Sequence, residues 1–289
     1  MVAVAFLGLG KMGLAMAMNV RKAGFATTVW NRSPQKAQPL EAAGASVAST
    51  PREAVATADV VITSLAGDAS VESVVAGPNG VLASLRKDGV HVGTSTISPK
   101  LADRLSQLHS AHGSRYVSGP VVGRLPAAEA AQLITFLAGD AAAIEAARPV
   151  IASYASRILP VGTEAGQASS AKLIANFLGA SGMDLIGQSM ALAERSGVPE
   201  PLVRQILLSF FGAEATREYV SKIAERDFDR VGFTTSGGLK DVELMIAAAG
   251  DVQLELSSAR ALRDKLSAAI ERGWEAKDWS CFTDIDRVR

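Results

Sequence analysis

The chain has 289 residues, of which 29 are Lys or Arg and 29 are Asp or Glu, so its formal net charge is zero. Nucleic-acid-binding domains usually carry a basic excess, so this balance argues against that class. Cys281 is the single cysteine, which excludes an internal disulfide and favours a reducing, cytoplasmic location. No run of about 18 apolar residues is present, and no membrane-spanning segment is expected.

Short apolar runs alternate with helical patterns through the first 160 residues or so. Strands are predicted at 2–8, 26–31, 45–49, 59–65, 89–96, 114–121, 132–140 and 155–162, and helices at 11–24, 34–44, 51–58 and 99–113. Such alternation is typical of a mainly parallel sheet that helices cover on both faces. The pattern predicts a Rossmann-type α/β domain over residues 1–162.

Strand-like runs end after Gly162, and the remaining sequence is helical in pattern. Residues 163–197 read as one helix, with Thr163 as candidate N-cap and Gly197 and Pro199 at its end. At 1.5 Å per residue this helix would be about 45 Å long, more than the width of a small domain. Further helices are predicted at 201–211, 215–226, 237–251 and 257–273. We expect an interdomain helix at 163–197 and an all-helical C-terminal domain at 198–289.

A Gly-x-Gly-x-x-Gly motif, Gly8-Leu9-Gly10-Lys11-Met12-Gly13, follows the first strand and opens the first helix. That context is typical of a dinucleotide-binding turn. Gly8 allows the turn, Gly10 lets a pyrophosphate approach the backbone, and Gly13 lets the helix pack closely on the strand. The free N–H groups at the helix start would bind the anion. The alternative, a glycine turn that binds nothing, is disfavoured by this position between strand and helix.

The second predicted strand ends at Asn31-Arg32-Ser33, where NAD-dependent enzymes place an acidic residue on the ribose. A carboxylate would repel a 2′-phosphate, whereas the Arg32 guanidinium can bind it with two hydrogen bonds. The Ser33 hydroxyl could add a third. The sequence therefore predicts NADP(H) over NAD(H). The alternative is that Arg32 is a solvated surface residue.

Lys172 and Asn176 lie four residues apart in an otherwise small and apolar stretch, so a helix places them on one face. A lysine in such surroundings needs a partner or a function, because desolvating an ammonium group is costly. The residues alone leave two interpretations open. Lys172 is either a functional lysine or one paired with a carboxylate across a domain interface.

Four motifs together resemble the β-hydroxyacid dehydrogenase family, which includes 3-hydroxyisobutyrate dehydrogenase and glyoxylate/succinic semialdehyde reductase. They are FLGLGKMGLAMAMNVRKAG (6–24), TSTISP (94–99), GQASSAKLIANF (166–177) and GGLKDVELM (237–245). The resemblance covers nearly the whole chain in order and spacing. It implies reversible hydride transfer between NADPH and a small carbonyl compound or 3-hydroxy acid. Lys172 would be the general acid/base, and Asn176 would orient the substrate.

The resemblance also implies the remaining site residues and the assembly. Leu65, Thr96 and Lys240 would contact the cofactor, and Ser95, Val122, Gly123, Arg124 and Phe233 would line the substrate site, while Asp241 would anchor the loop of Lys240. The alternatives are that Thr96 caps the following helix, that Phe233 is core, and that Lys240 and Asp241 form an ordinary ion pair. The family implies a homodimer or tetramer with the site in the cleft between domains.

The substrate loop departs from the family pattern. The family usually reads Asp-Ala-Pro-Val-Ser-Gly-Gly, whereas residues 118–124 read Ser-Gly-Pro-Val-Val-Gly-Arg. Val122 replaces a serine that donates to the substrate acid, and Arg124 could restore an anion contact through its side chain. Alternatively, Arg124 points outward to Glu129 or to water. A Gly-Arg pair resembles the sulfolactaldehyde reductase branch, but Ala175 and Gly179 stand where that branch has Asn and Ser.

Two competing functions stay open from the sequence. An imine reductase would share the architecture, but such enzymes usually replace the catalytic lysine by Asp or Tyr. A non-catalytic NADP-binding sensor would need neither Lys172 nor Asn176. His91, His109 and His112 match no family site and have no metal-ligand spacing, so we expect core or surface roles for them and no metal site.

Overall fold

The structure is a computed structural model that describes residues 2–195, 197–210, 214–251 and 257–287. The chain divides into two compact units, Met1–Lys172 and Leu173–Arg289. The predicted boundaries at 162/163 and 197/198 stay predictions. None of the described helices combines the length and the apolar composition needed to cross a bilayer.

The first unit is built on one twisted sheet. Its described strands are β1 Ala3–Leu7, β2 Ala26–Trp30, β3 Ser46–Val47, β4 Val60–Thr63, β5 Val90–Gly93, β6 Arg115–Ser118, β7 Val121–Val122, β8 Leu133–Gly139 and β9 Ala155–Gly162. The strand order is β3-β2-β1-β4-β5-β6-β8-β7, with β9 paired to β8. The pairs from β3 to β6 are parallel, and β8 runs antiparallel to β6 and β7. The expected mainly parallel, Rossmann-type sheet is confirmed.

One predicted strand is divided in two. Residues 114–121 form β6 and then β7, with Gly119 and Pro120 between them. Proline has no N–H to donate to a neighbouring strand, so the ladder stops there. The chain then pairs again with β8, where Val121 lies opposite Thr135. β7 ends at Val122, and the chain then reaches α6 through Gly123 and Arg124.

Helices cover the sheet on both faces. They are α1 Lys11–Lys22, α2 Gln38–Ala42, α3 Pro51–Val55, α4 Asp68–Ala76, α5 Pro99–His112, α6 Leu125–Glu129 and α7 Ala141–Ile151, with 3-10 turns at Pro34–Ala37 and Val81–Ala83. Along β1, Val4 and Phe6 join one apolar cluster, while Ala5 and Leu7 join another. Successive residues of a strand point to opposite faces, so β1 supplies both cores and reads as a continuous apolar run.

A buried chain of hydrogen bonds links β4, β5 and α5. The His109 Nδ1–H donates to the Leu105 carbonyl at 2.8 Å, so its Nε2 accepts from the His91 Nδ1–H at 3.1 Å. His91 Nε2 in turn accepts from the Thr63 hydroxyl at 2.9 Å. Burial lowers the pKa of His91 well below its usual value and lowers the pKa of His109 to about 4. Core roles for these two histidines are confirmed.

The neutral histidine pair predicts a specific acid sensitivity. The unfolded chain binds a proton at His109 below pH 6.5, whereas the folded chain does so only near pH 4. Stability from this site is complete above pH 6.5 and should fall by about 1.4 kcal/mol per pH unit as the pH drops towards 4. Urea denaturation at pH 7, 6 and 5 measures this slope. His109→Gln keeps a neutral amide and should show a shallower slope; an unchanged slope would contradict the assignment.

The long helix α8, Ala165–Arg195, begins in the first unit and ends in the second. The helices α9 Glu200–Phe210, α10 Glu214–Glu225, α11 Thr235–Asp251 and α12 Ser257–Glu271 follow, and then a 3-10 segment at Trp279–Asp286. The all-helical character of this part is confirmed. Phe211, the last residue of the helix predicted at 201–211, lies outside the described residues. The second core contains Leu173, Met183, Val220, Leu262 and Phe282.

A buried ion pair fixes the loop before α11. The Lys222 Nζ donates to Asp278 Oδ2 at 2.8 Å and to the Arg230 carbonyl at 2.6 Å. Asp278 also accepts from the Gly232 N–H at 2.9 Å and from the Ser280 hydroxyl at 2.6 Å. Burial raises the pKa of the Asp278 carboxyl, but these donors outweigh it and hold the pKa below its usual value. The pair therefore ties α10, the 230–232 loop and the C-terminal 3-10 segment together.

Candidate active site

The glycine turn connects β1 to α1, as predicted. Gly8 has a φ of +98°, and a Cβ there would lie 2.2 Å from the Ser64 carbonyl oxygen. A Cβ on Gly13 would lie 2.0 Å from the Gly8 carbonyl oxygen, whereas a Cβ on Gly10 would meet nothing within 4 Å. Gly8 and Gly13 are therefore required by packing. Gly10 stands at the N-cap of α1 beside open space, and Lys11 and Met12 follow it in the first helical turn.

That open space fits a pyrophosphate. The first N–H groups of a helix have no partner within the helix, and the helix dipole favours an anion at this end. A dinucleotide phosphate can approach Gly10 because no side chain and no neighbouring atom stands in the way. The three glycines thus divide into two that shape the turn and one that leaves room for a ligand.

The division predicts different results for two alanine substitutions. Gly10 has φ −66° and ψ 178°, which any residue adopts, so Gly10→Ala should keep the melting temperature but weaken NADPH binding at least about tenfold. Gly13→Ala forces a backbone clash and should destabilise the fold by about 1–3 kcal/mol. Thermal unfolding and a fluorescence titration with NADPH measure both effects. Gly250→Ala, which also meets nothing within 4 Å, is the matched control. Gly10→Ala with unchanged affinity would refute this role.

Asn31 holds the glycine turn to the end of β2. Its Oδ1 accepts from the Leu9 N–H at 2.9 Å, and its Nδ2 donates to the Ser33 carbonyl at 2.9 Å. Arg32 is exposed between them, and Ser33 precedes the 3-10 turn Pro34–Ala37. The structure thus brings the glycine turn and residues 31–33 together at the carboxyl ends of β1 and β2.

Ser95 joins the ends of β4 and β5. Its hydroxyl accepts from the Leu65 N–H at 2.7 Å, and the neighbouring Thr94 hydroxyl donates to the Thr63 carbonyl at 2.9 Å. Thr96 is half-buried in the same segment. The alternative role for Thr96, capping the next helix, is taken by Ser98, whose hydroxyl accepts from the Leu101 N–H at 3.2 Å.

The loop after β7 has a fixed backbone. Val122 pairs with Ile134 of β8, and Gly123 has a φ of +139°, at which a Cβ would lie 2.6 Å from a methyl group of Leu133. Only glycine suits that position. Arg124 is the N-cap residue of α6, and its carbonyl accepts from the Ala128 N–H at 3.0 Å. The Arg124 side chain is half-buried.

Helix α8 presents the two predicted catalytic residues one turn apart. Its start is held by Asp103 of α5, whose Oδ1 accepts from the Gly166 N–H at 2.7 Å. Lys172 is the last residue of the first unit, and Asn176 follows four positions later. Within the described ranges, no cluster of three or more His, Cys, Asp or Glu side chains could hold a metal ion.

Asp241 gathers Asn176 and Lys240 in the second unit. The carboxylate is buried, accepts from Asn176 Nδ2 at 2.8 Å, and lies 2.7 Å from Lys240 Nζ. The Asn176 amide thus hydrogen-bonds one carboxylate oxygen, and the Lys240 ammonium balances the charge beside the other. Phe233 packs edge-on against Trp279, with ring centroids 5.2 Å apart, and belongs to the margin of the second core.

Two residues make contacts that the sequence did not predict. Asp241 was expected only to anchor a loop, yet it contacts both Asn176 and Lys240. Asn19 was not singled out, although its side chain is buried in α1 and donates to the Ala128 carbonyl at 2.7 Å. The signal that could have found Asn19 was a lone amide on the apolar face of the first helix.

Comparisons with known proteins match both parts of the chain. Residues 3–162 match the family described as the NAD binding domain of 6-phosphogluconate dehydrogenase. Residues 166–283 match the family described as NAD-binding of NADP-dependent 3-hydroxyisobutyrate dehydrogenase. Together the two matched ranges cover nearly the whole chain in order.

Three relatives illustrate the similarity. An uncharacterized oxidoreductase, YfjR of Bacillus subtilis (strain 168), is 38% identical over 279 residues, 96% of this chain and 98% of that protein. Glyoxylate/succinic semialdehyde reductase 1 of Arabidopsis thaliana is 35% identical over 204 residues, 71% of this chain and 70% of that protein. The structure of Mycobacterium tuberculosis 3-hydroxyisobutyrate dehydrogenase with L-serine superposes with a TM-score of 0.89 at 29% identity and covers 100% of both chains.

Proposed function

Because this chain belongs to the β-hydroxyacid dehydrogenase family of oxidoreductases, which act on CH–OH donors, we propose that it is an NADPH-dependent reductase of a small acidic aldehyde or keto acid. The reaction is reversible as a 3-hydroxyacid dehydrogenase. The observation that carries this proposal is the pair Lys172 and Asn176, one turn apart on α8, with Asn176 held by Asp241 at 2.8 Å.

The residues of the first unit fit a nicotinamide dinucleotide. When bound, NADPH supplies the hydride. Gly10 and the start of α1 would hold its pyrophosphate, and the exposed Arg32 would bind the 2′-phosphate. The positions of Leu65, Ser95 and Thr96 at the ends of β4 and β5 support contacts farther along the dinucleotide, because ligands of such sheets bind outside the carboxyl ends of the strands.

Lys172 would donate the proton that the reduction requires. Hydride addition to a carbonyl carbon leaves negative charge on its oxygen, and an ammonium group nearby can both stabilise that charge and protonate it. Asn176 Nδ2 uses one of its two N–H groups to donate to Asp241, and its Oδ1 would accept from Lys172 one turn earlier or from the substrate. Lys240, which pairs with the same Asp241 carboxylate, would contact the cofactor.

Arg124 would bind the anionic group of the substrate. Val122 has no hydroxyl to donate there, so an acidic substrate needs another donor near this loop. The Arg124 guanidinium is the charged group of this loop. The backbone from Val122 to Arg124 is fixed, so the position from which the Arg124 side chain extends is fixed as well. A side-chain contact with two donors suits a carboxylate, or a larger anion such as a sulfonate.

Two other functions are less well supported. Solved imine reductases share this fold at 22% identity. The pattern expected of an imine reductase has Asp or Tyr in place of the lysine, whereas this chain has Lys172. A cofactor sensor would not need a lysine and an amide aligned on α8.

A cytoplasmic location is a prediction from the single cysteine.

A cofactor-consumption screen tests the proposed function. Wild type and Arg124→Ala would be incubated with NADPH or NADH and with glyoxylate, succinic semialdehyde, tartronate semialdehyde, methylglyoxal, a sulfonated aldehyde or a cyclic imine. We expect turnover of an acidic aldehyde with NADPH. Turnover of the imine alone, or tight NADPH binding without any turnover, would overturn the proposal in favour of an imine reductase or a sensor.

We also propose that the chain forms a homodimer or homotetramer. Ile174, Leu178 and Leu185 on α8 are each more than half exposed, and their spacing places them on one stripe of the helix. Leu202 and Ile206 of α9 are 49% and 48% exposed. Such apolar stripes usually mark an interface, and a self-complementary contact with a second copy would cover them.

Charge placed in the stripe should break the assembly. Leu178→Glu puts a carboxylate on the apolar stripe and should shift the protein from a dimer or tetramer towards the monomer mass in light scattering, because desolvating a charge is costly. Val47→Glu, at an exposed apolar residue of β3, is the control and should leave the mass unchanged. A monomeric wild type would refute the proposed oligomer.

A further inference from the structure

Asn19 is a buried amide in the helix that follows the glycine turn. The buried positions of α1 are Gly13, Ala15, Met16, Ala17, Asn19 and Val20, and the Asn19 side chain is the polar one among them. Asn19 is 8% exposed. An amide in such a place needs a hydrogen-bond partner, because burying an unpaired polar group is costly. Its partner therefore shows what the residue does.

The Asn19 amide caps the end of α6. Its Nδ2 donates to the Ala128 carbonyl at 2.7 Å and lies 3.5 Å from the Glu129 carbonyl. The last carbonyls of a helix have no N–H partner within the helix. Here the chain turns sharply at Ala131, with a φ of +57°, and the Gln132 N–H returns to the Ala127 carbonyl at 2.7 Å. Asn19 thus fixes a helix of five residues at its C-terminal end.

The same residue of α6 also holds Arg124. The Ala128 N–H donates to the Arg124 carbonyl at 3.0 Å, while the Ala128 carbonyl accepts from Asn19. Ala128 therefore links the Asn19 amide to the Arg124 backbone through two hydrogen bonds. On the other side, Gly123 is packed against Leu133 of β8. The origin of the Arg124 side chain is therefore set by β8 on one side and by α1 through Asn19 on the other.

We propose that Asn19 is a positioning residue for the substrate loop. It couples α1, which carries the glycine turn, to α6, which carries Arg124, and so fixes the distance between cofactor site and substrate anion. Six residues of rigid helix, about 9 Å, separate Gly13 from Asn19. The inference rests on the proposed function of Arg124. It assigns Asn19 an effect on substrate affinity beyond any effect on stability.

The test compares Michaelis constants in two backgrounds. Asn19→Ser removes the amide but leaves space for a water, and Asn19→Leu removes the donor at similar size; each is also introduced into Arg124→Ala. In the wild-type background we expect the KM for the acidic aldehyde to rise about tenfold, with kcat and the KM for neutral methylglyoxal changed less than about twofold. In the Arg124→Ala background the Asn19 substitutions should add nothing to KM.

Val20→Ala is the matched control for loss of stability. Val20 is buried in the same helix, and its side chain cannot donate to α6. It should lower the melting temperature but leave the KM of the acidic aldehyde unchanged. If Arg124→Ala raises this KM and neither Asn19 variant does, the inference is overturned while the proposed function stands. If Arg124→Ala has no effect on KM, the role of Arg124 is wrong and the inference falls with it. If Val20→Ala raises the KM of the acidic aldehyde as much as the Asn19 variants do, the role of Asn19 is structural only and the inference is overturned.

Discussion

Lys172→Ala should reduce turnover by about 10²–10⁴-fold, the usual contribution of a positioned general acid. The ammonium group that protonates the carbonyl oxygen is lost, and water must take its place. Cofactor affinity should stay within about twofold of wild type, because the glycine turn and residues 31–33 are untouched. Steady-state kinetics with the best acidic aldehyde measures the first effect, and NADPH titration measures the second.

Two further variants make this result specific. A small primary amine added to Lys172→Ala should restore part of the turnover, because it can occupy the vacated space and donate a proton. Lys240→Ala should behave differently, with weaker cofactor binding, since Lys240 pairs with Asp241 at 2.7 Å and is assigned to the cofactor. Turnover of Lys172→Ala within about tenfold of wild type would show that another group donates the proton.

The framework of the fold could be predicted because local patterns determine it. The strand β4 is buried throughout, so it reads as a short apolar run, and β5 is buried throughout with Val90 and Val92 on either side of His91. The glycine motif was recognisable because its spacing reflects local requirements: Gly8 and Gly13 have no room for a Cβ, and Gly10 leaves space for a ligand. The long helix α8 followed from helical periodicity between Gly162 and Gly197.

Short elements and long-range contacts could not be predicted in the same way. Helix α6 has five residues, too few to establish a period, and its last turn accepts a hydrogen bond from Asn19, which is 109 positions away from Ala128 in sequence. Likewise, Asn176 and Asp241 are 65 positions apart. Their hydrogen bond depends on how α8 and α11 pack, which no local pattern records. Asn31 was predicted to contact the cofactor, but its hydrogen bond to the glycine turn was not predicted, because that bond joins residues 22 positions apart.

Arg32→Glu should weaken NADPH binding by about 10- to 100-fold, the range expected when a charge-assisted hydrogen bond is lost. The new carboxylate also repels a 2′-phosphate. NADH carries a 2′-hydroxyl instead, which a carboxylate can bind, so its affinity should be unchanged or improved. Titration of both cofactors against wild type and variant gives the ratio directly.

The exposure of Arg32 makes a control for general electrostatics necessary. Lys22→Glu, in the exposed last turn of α1, changes the net charge by the same amount at the opposite end of that helix. If Arg32 binds the 2′-phosphate, only Arg32→Glu changes the ratio of NADPH affinity to NADH affinity. This change should depend little on salt concentration, because the contact is short. If both variants weaken NADPH equally, or if Arg32→Glu weakens both cofactors alike, Arg32 is a solvated residue. The Arg32 guanidinium would then not account for a preference for NADP, and the Ser33 hydroxyl would be the next candidate at the end of β2.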